Sequence, residues 1–296
     1  MPSLQQDSLL SLFCHIDDFC QEALPPLKPV ALPSGKTRNR PRSLCESEIM
    51  TLLVFFHQSR FRCFKAFYLG YVCQHLRGAF PRLVSYSRFV EFVPSVLVLL
   101  SVYLRSLFGS QTGIAFADST PLAVCHNRRI SQHKVFRNTA KRGRTSVGWF
   151  YGFKLHLIIN DKGELLNVTL TPGNCDDRKP LPDLAQGLVG KLFADRGYIS
   201  QDLFTRLWRR GLHLITKIKK NMKPKLVPLF DAVLLRKRAV IESVNDQLKN
   251  ISQIEHTRHR ADTGFLWNFF AALIAYCHQP KKPSLNLNNN DLNAIA

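Results

Sequence analysis

Residues 113–122 read GIAFADSTPL and residues 190–199 read GKLFADRGYI, so the tripeptide Phe-Ala-Asp occurs twice, each time closing a short apolar run. A short apolar run followed by polar turn residues is typical of a buried β-strand. The pattern predicts one strand over 112–117 that ends at Asp118 and a second strand that ends at Asp195. Each strand would therefore place a carboxylate at its carboxyl end.

The chain is strongly basic. Its 41 Lys and Arg residues stand against 21 Asp and Glu residues, a formal net charge of +20 over 296 residues. So much positive charge opposes compaction and favours a polyanionic partner, with nucleic acid as the first candidate and an anionic membrane as the second. The longest apolar run, residues 93–108, contains Pro94 and Arg105 and is shorter than the ~20 residues that cross a bilayer. A buried helix is therefore expected, and no membrane span.

The eight cysteines include no Cys-x-x-Cys pair and no zinc-finger spacing with histidine. This favours free thiols in a reducing cytoplasm over disulfides or a structural zinc site. The opening residues, MPSLQQDSLLSLF, lack the basic segment of a signal peptide. We therefore expect a cytoplasmic protein.

The hydrophobic pattern divides the chain into three parts. Residues 1–110 have helical periodicity and predict an all-α domain, interrupted by a Pro-rich basic linker over 25–42. Residues 111–279 alternate strand-like and helix-like segments and predict an α/β domain. Residues 280–296 are polar and predict a disordered tail.

The element order after residue 111 reads β-β-β-α-β-α-β-α. Three strands in hairpin order, followed by alternating helices and strands, predict a mixed sheet with helices on both faces. This is the element order of the ribonuclease H-like fold. In the strand order 3-2-1-4-5 the first and fourth strands are neighbours, so Asp118 and Asp195 are expected side by side. Two close carboxylates are unfavourable unless a cation lies between them, and oxygen ligands favour Mg²⁺ or Mn²⁺.

A third acid, Glu242, lies on the predicted helix LLRKRAVIESVNDQLKN, residues 234–250. At 100° per residue the helix has a polar face and a separate apolar stripe. The polar face contains Arg238, Glu242, Asn245 and Lys249. The apolar stripe contains Ile241, Val244, Leu248 and Ile251. One face would pack on the sheet while the other presents an acid flanked by cations, as phosphoryl transfer requires.

Each acid alone has a plainer explanation. Asp118, followed by Ser-Thr-Pro, would cap a turn, and Glu242 would form an exposed ion pair with Arg238 at i,i+4. Asp176 and Asp177 are rival metal ligands, although the Pro-Gly turn before them favours helix N-caps. Three histidines also lie near this region: His126, His133 and His156. None is needed as a base if a metal activates water, and the strand position of the third favours a role in the sheet.

Jointly, Asp118, Asp195 and Glu242 resemble the DDE triad of bacterial insertion-sequence transposases. FADRGY is similar to the second-Asp motif of these enzymes, and TPGNCDDRKPL to the segment before it. The helix resembles the signature Y-x2-R-x3-E-x6-K, with Leu235 where the tyrosine is expected. Arg238, Glu242 and Lys249 match its other positions. The features are most similar to the insertion-sequence 982 family.

The resemblance implies a DNA transposase, an endonuclease that cuts an insertion sequence at its ends and joins it to target DNA. It implies two Mg²⁺ ions per site, replaceable by Mn²⁺ and held by Asp118, Asp195 and Glu242, with Arg238 and Lys249 holding phosphates. The implied partners are double-stranded DNA, as terminal inverted repeats and target, and a second copy of the chain in a homodimer. End recognition would lie in the N-terminal region, and the location would be the nucleoid of a bacterial cytoplasm.

The placement of charge agrees with a DNA partner. Residues 119–150 contain seven Lys and Arg residues and no acid, and residues 205–250 contain twelve against three acids. Both segments flank the predicted crevice, and a solvated basic loop is the plainer alternative. The expected DNA contacts are Arg128, Arg129, Lys141, Arg142, Arg144, Lys217, Lys219 and Lys220.

Two other functions fit the same residues. One is a ribonuclease H-like nuclease that only hydrolyses DNA, and the other is a catalytically inactive DNA-binding derivative of a transposase. The basic N-terminal region argues against the first and the intact triad against the second. Cleavage and joining assays separate all three.

Overall fold

The computed structural model describes residues 2–27, 42–145, 148–217, 228–255, 259 and 261–285. The chain forms two compact units. The helical unit comprises Met1–Leu107, Asn250–Ile254 and Ala261–His278. The sheet unit comprises Phe108–Lys249, Glu255–Arg260 and Gln279–Ala296.

The helical unit contains α1 (Pro2–Leu27), α2 (Glu46–Gln58), α3 (Phe64–Phe67), α4 (Cys73–His75), α5 (Tyr86–Phe92), α6 (Leu97–Ser106) and, late in the chain, α11 (Asp262–Cys277). A π-helical turn (Tyr68–Val72) and a 3-10 turn (Val93–Val96) connect some of these helices. Helix α11 packs against α2 and α6, and α1 packs against α2. The Trp267 ring meets the edges of Phe56 and Phe64 in the core of this unit.

The position of α11 differs from the predicted domain boundaries, which place residues 262–277 with the sheet. This helix is apolar on nearly all sides, and every residue from Ala271 to Tyr276 is buried. A helix that is apolar all round has to be covered all round. Helices α2 and α6 provide that cover. The hydrophobic periodicity of the sequence does not show which elements pack around a helix.

One described stretch, Tyr86–Ser106, is long and apolar enough to cross a membrane by length and composition, with 21 residues and a mean hydropathy of 1.6. Within the structure, 44% of its most apolar window is buried. The core helix of a globular unit meets the same criteria, so this stretch is weak evidence for a span. The tighter 3-10 turn at Val93–Val96, with Pro94 at its start, interrupts it.

The sheet unit contains β1 (Ile114–Cys125), β2 (Lys141–Arg144), β3 (Trp149–Asn160), β4 (Leu165–Pro172), β5 (Gly190–Ala194) and β6 (Leu212–Thr216). Its helices are α7 (Leu181–Leu184), α8 (Gln201–Trp208), α9 (Leu229–Lys237) and α10 (Ala239–Asp246). Two 3-10 turns (Asn127–Gln132 and Arg196–Tyr198) and a π-helical turn (Gln247–Ile251) complete the elements.

The sheet is mixed, in the order β2-β3-β1-β5-β6, and β4 also pairs with β3. Strand β3 runs antiparallel to β1, β2 and β4, whereas β5 runs parallel to both β1 and β6. The predicted adjacency of the strands that carry the two aspartates is confirmed. The short strand β2, with the sequence KRGR, was not predicted because it contains no apolar residue.

Helices cover both faces of the sheet. Ala115 and Ala117 of β1 and Leu192 of β5 belong to a core cluster with residues of α7 and α8. Since side chains alternate along a strand, Phe116 and Asp118 point to the opposite face. That face is contacted by α10, which packs against β1, and its residues do not belong to the same cluster.

Strand β1 is longer than predicted, and Asp118 lies inside it rather than at its end. Pairing with β3 continues from Ala115 to Cys125, with a bulge near Ala123. Close strand approach is possible there because position 152 is glycine: a Cβ would lie 2.0 Å from the Leu122 carbonyl oxygen. Pro121 is tolerated because β5 has already ended on that edge, where no N–H donor is needed.

The predicted linker and tail are described only in part. Helix α1 extends to Leu27, and residues 28–41 lie outside the described residues. In the predicted tail, the Leu285 N–H donates to the Asp161 carbonyl oxygen at 2.9 Å, so residues up to 285 lie along the β3–β4 turn. Residues 286–296 lie outside the described residues.

Candidate active site

Strand pairing brings the first two acids together. The parallel register of β1 and β5 ends with the pair Phe116 and Phe193, whose rings stack at 5.5 Å. Asp118 and Asp195 each follow two residues later, on strands about 4.8 Å apart. Strand β5 has ended by then, and Asp195 starts the 3-10 turn Arg196–Tyr198 with its side chain exposed.

Helices α9 and α10 bring the third acid and two further polar groups to Asp118. Asn245 Nδ2 donates a hydrogen bond to Asp118 Oδ2 at 3.1 Å. Arg238, between the two helices, has Nη1 at 3.7 Å from Asp118 Oδ1 and donates from Nη2 to Glu242 Oε1 at 2.9 Å. The guanidinium therefore links the first and third acids.

The Asp118 carboxyl group is in an unfavourable place for a charge. Burial raises its pKa from 3.8 to about 6, against the lowering effect of Arg238 and of the Ser119 backbone N–H. Glu242 and Asp195 raise it further, which places both acids within electrostatic reach. A site that penalises a lone carboxylate in this way is stabilised by an added cation.

A buried tyrosine anchors the turn that carries Asp195. The Tyr198 N–H donates to the Asp195 carbonyl oxygen at 3.0 Å, and the side chain is 3% exposed. Its hydroxyl group hydrogen-bonds with the side chain of Ser119, the residue after Asp118. Burial raises the Tyr198 pKa well above its usual value, so the hydroxyl stays protonated. Tyr198 closes the FADRGY motif, but no role was predicted for it.

The donor set suits a hard divalent cation. Asp118 and Asp195 offer carboxylate oxygens, which Mg²⁺ and Mn²⁺ prefer. Within the described ranges, no group of three His, Cys, Asp or Glu residues stands close enough to hold a metal. The Glu242 carboxylate is instead hydrogen-bonded to Arg238 and is 60% exposed. The acids therefore fit such an ion by donor type, provided that Glu242 turns from Arg238.

Lys249 lies elsewhere on its helix than the uninterrupted α-helical register predicts. The chain widens into a π-helical turn at Gln247–Ile251, which changes the angular position of every residue in it. Lys249 Nζ lies 3.4 Å from Glu255 Oε2. Glu255 Oε1 in turn accepts a hydrogen bond from the Ala123 N–H at the bulge of β1, at 2.8 Å. Leu235, at the tyrosine position of the signature, is buried.

The predicted DNA contacts lie mainly on one exposed basic surface. Its described members are Arg128, Arg129, Lys141, Arg142 and Arg144, and all five are exposed. The first two lie on the 3-10 turn Asn127–Gln132 and the others on β2. Asn127 Nδ2 donates to the Trp149 carbonyl oxygen at 2.6 Å, which ties the turn to β3. Lys217 is exposed at the end of β6, and Lys219 and Lys220 lie outside the described residues.

The rival ligands have other partners. Lys154 Nζ pairs with Asp177 Oδ1 at 2.9 Å, and Asp176 pairs with Arg178. The prediction that these acids cap a helix is wrong, because α7 begins after Pro180 and has no side-chain cap.

The histidines are likewise accounted for. His156 lies in the sheet, as predicted, where it is 1% exposed and hydrogen-bonded with Thr171. Burial lowers its pKa to about 4, so the imidazole is neutral. The His126 side chain accepts from the Arg128 N–H at 3.3 Å, and His133 stacks on Phe136.

Removing the Asp118 charge should change how stability depends on pH. In metal-free protein the pKa of Asp118 is about 6 in the native state and 3.8 in the unfolded chain. The native state therefore binds the proton more tightly, and the stability of wild type falls as the pH rises through this range. Asp118→Asn cannot lose a proton. We expect the free energy of unfolding of the variant, taken relative to that of wild type, to be about 2 kcal/mol higher at about pH 8 than at about pH 4.5. Urea unfolding in EDTA measures this, and parallel stability profiles would contradict it.

Comparison with known proteins adds a family assignment. Residues 108–262 match the family model described as Transposase DDE domain. No curated protein matches the chain. Among solved structures, the chain is similar to a protein chain in the cryo-EM structure of the piggyBac transposase synaptic complex with hairpin DNA. The TM-score is 0.47 at 11% identity, over 90% of this chain and 71% of that one. Because the family match covers more than half of the 296 residues, the chain belongs to the DDE-domain transposase family.

Proposed function

We propose that this protein is a DNA transposase that cuts an insertion sequence at its ends and joins those ends to target DNA. The observation that carries the proposal is the surroundings of Asp118, where Arg238 links it to Glu242 and Asp195 follows the neighbouring strand within electrostatic reach. Acids for a metal and a cation for a phosphate are the groups that phosphoryl transfer needs.

In this proposal Asp118, Asp195 and Glu242 hold Mg²⁺, or Mn²⁺ in its place, with two ions per site. When bound, the metal supplies charge stabilisation for the phosphodiester and activation of water. The Glu242 side chain has room to turn from Arg238 toward the metal because it is 60% exposed. Arg238 Nη2 then loses its hydrogen bond to Glu242 and is available to hold a phosphate oxygen through a charge-assisted hydrogen bond.

The reaction has two balanced steps. Water attacks the phosphodiester at the element's end, the P–O bond to the 3′ oxygen breaks, and a 3′ hydroxyl group is freed. That hydroxyl then attacks a phosphodiester of the target, so one P–O bond forms as another breaks and no external energy source is needed. Tyr198 acts by holding the Asp195 turn against β1.

The exposed basic surface of the 3-10 turn and β2 would hold the DNA backbone. Five exposed cations on the turn and on β2 concentrate positive charge in this part of the sheet unit, which suits contact with phosphates. Lys217, Lys219 and Lys220 would extend the contact. Lys249 is proposed to hold a phosphate as well, although in the structure it is paired with Glu255.

The finer features rest on the resemblance of the sequence motifs. We propose a ribonuclease H-like catalytic domain of the insertion-sequence 982 type. Terminal inverted repeats would be recognised by the N-terminal region, and a homodimer would join two ends to one target. The protein would work on the nucleoid in a bacterial cytoplasm. A nuclease that only hydrolyses remains the second candidate, since the same acids serve that reaction.

The triad can be tested by charge removal at constant shape. Asp118→Asn, Asp195→Asn and Glu242→Gln should each reduce cleavage of DNA carrying the terminal inverted repeats to below a tenth of wild type, with DNA binding nearly intact. The control is Asp202→Asn, an exposed acid on α8 paired with Arg206, which should leave cleavage unchanged. Joining in wild type supports the transposase, hydrolysis alone the nuclease, and neither the inactive derivative. Substantial cleavage by a triad variant would remove that residue from the site.

The basic surface can be tested through salt. Because side chains alternate along β2, Arg142 and Arg144 share one face. The double variant Arg142→Ala, Arg144→Ala should lower the slope of log K against log[salt] for random duplex DNA by roughly two units, since each lost phosphate contact removes about 0.9. Arg206→Ala, which removes an exposed cation that is already paired with Asp202, serves as the control and should change the slope less. An unchanged slope for the double variant would show that these cations are ordinary solvated charges and do not contact the DNA.

A further inference from the structure

Asn245 contacts the buried acid of the site directly. Glu242 follows Arg238 by four residues and Asn245 follows Glu242 by three, so one helical face presents all three side chains. Its hydrogen bond to Asp118 Oδ2, at 3.1 Å, has good length, whereas the Arg238 approach of 3.7 Å is too long for one. The amide is therefore the side chain of this face that fixes the carboxylate.

Stability does not explain this asparagine. Asn245 is 8% exposed, on a helix where Ile241, Val244 and Leu248 form the buried stripe. An apolar residue would favour both helix formation and burial at such a position. Moreover, Asn245 Oδ1 is a buried acceptor with no hydrogen-bond partner within the described part of the chain. A buried unsatisfied group of this kind costs about 1–3 kcal/mol.

A second unsatisfied atom lies at the same carboxylate. Arg238 Nη1 is also buried without a hydrogen-bond partner among the described residues. Two such atoms, one donor and one acceptor, flank Asp118 from the same helical face. Buried polar groups are satisfied in most native structures, and the exceptions call for a functional explanation.

We propose that Asn245 is a positioning residue that fixes the orientation of the Asp118 carboxylate for a divalent cation. This inference rests on the proposed function. A carboxylate with one oxygen held by the amide cannot rotate freely, so its second oxygen keeps one direction. Groups that orient a metal ligand in this way change metal affinity 10–100-fold when they are removed.

The direct test is Mn²⁺ binding without DNA, followed through the electron paramagnetic resonance signal of free Mn²⁺. Asn245→Leu keeps the size of the side chain and removes the amide. It should weaken Mn²⁺ binding 10–100-fold while leaving urea stability in EDTA unchanged or higher. Asn245→Ala should weaken Mn²⁺ binding in the same way, which keeps the test open if leucine disturbs packing.

The matched control is Asn167→Leu. Asn167 is another amide of the sheet unit, and it donates to the Leu184 carbonyl oxygen at 2.8 Å, on the α7 side of the sheet. This variant should lose some stability and keep wild-type Mn²⁺ affinity. A purely structural role for Asn245 predicts the same behaviour for both asparagines.

A readout in the reaction completes the test. For Asn245→Leu the Mg²⁺ concentration that gives half-maximal DNA cleavage should rise at least tenfold, and saturating Mg²⁺ should restore most of the rate. Equal Mn²⁺ affinity of wild type and Asn245→Leu would overturn the role of Asn245 and leave the proposed function standing. A wild-type protein that binds no Mn²⁺ and cleaves no DNA would overturn both.

Discussion

The parallel pairing of β1 with β5 is the constraint on which the candidate site depends. Register between these strands ends at Phe116 and Phe193, and β1 alone continues, held by β3. Asp118 therefore remains in a regular strand, and Asp195 begins a turn next to it. A slip of one residue would move Asp118 to the opposite face of the sheet, away from Arg238, because strand side chains alternate with a period of two. The register thus decides whether the acids meet.

The second determinant is the electrostatic balance around Asp118. Burial alone raises the pKa of this carboxyl group, and the neighbouring acids raise it further. The junction of α9 and α10 offsets part of the cost with a guanidinium and an amide. The compensation is incomplete, since Arg238 Nη1 and Asn245 Oδ1 are both buried and neither has a hydrogen-bond partner in the part of the chain that the structure describes. Buried polar atoms without hydrogen-bond partners reduce stability, and such a loss is expected at a site that binds a ligand.

Sequence reasoning predicted the pairing that matters and missed features that local pattern cannot encode. The apolar runs ending in Phe-Ala-Asp, together with the strand order 3-2-1-4-5, predicted that the strands leading to Asp118 and Asp195 are neighbours, and they are. The extension of β1 was missed because Pro121 resembles a turn residue, and only the early end of β5 makes it compatible with a strand. The π-helical turn that contains Lys249 was not predicted, because such a turn leaves no mark in the periodicity of the sequence. Asn245 was predicted on the polar face, but its contact with Asp118 depends on how the helix packs.

In the proposed site, Asp118, Asp195 and Glu242 together hold the divalent cations. Replacing Mg²⁺ with Fe²⁺ and adding ascorbate and peroxide produces hydroxyl radicals that cut the backbone beside the bound metal. We expect cuts near all three acids, suppressed by excess Mg²⁺ and by Asp118→Asn but not by Asp202→Asn. Cuts confined to other segments, or cuts near these acids that persist in Asp118→Asn, would contradict it.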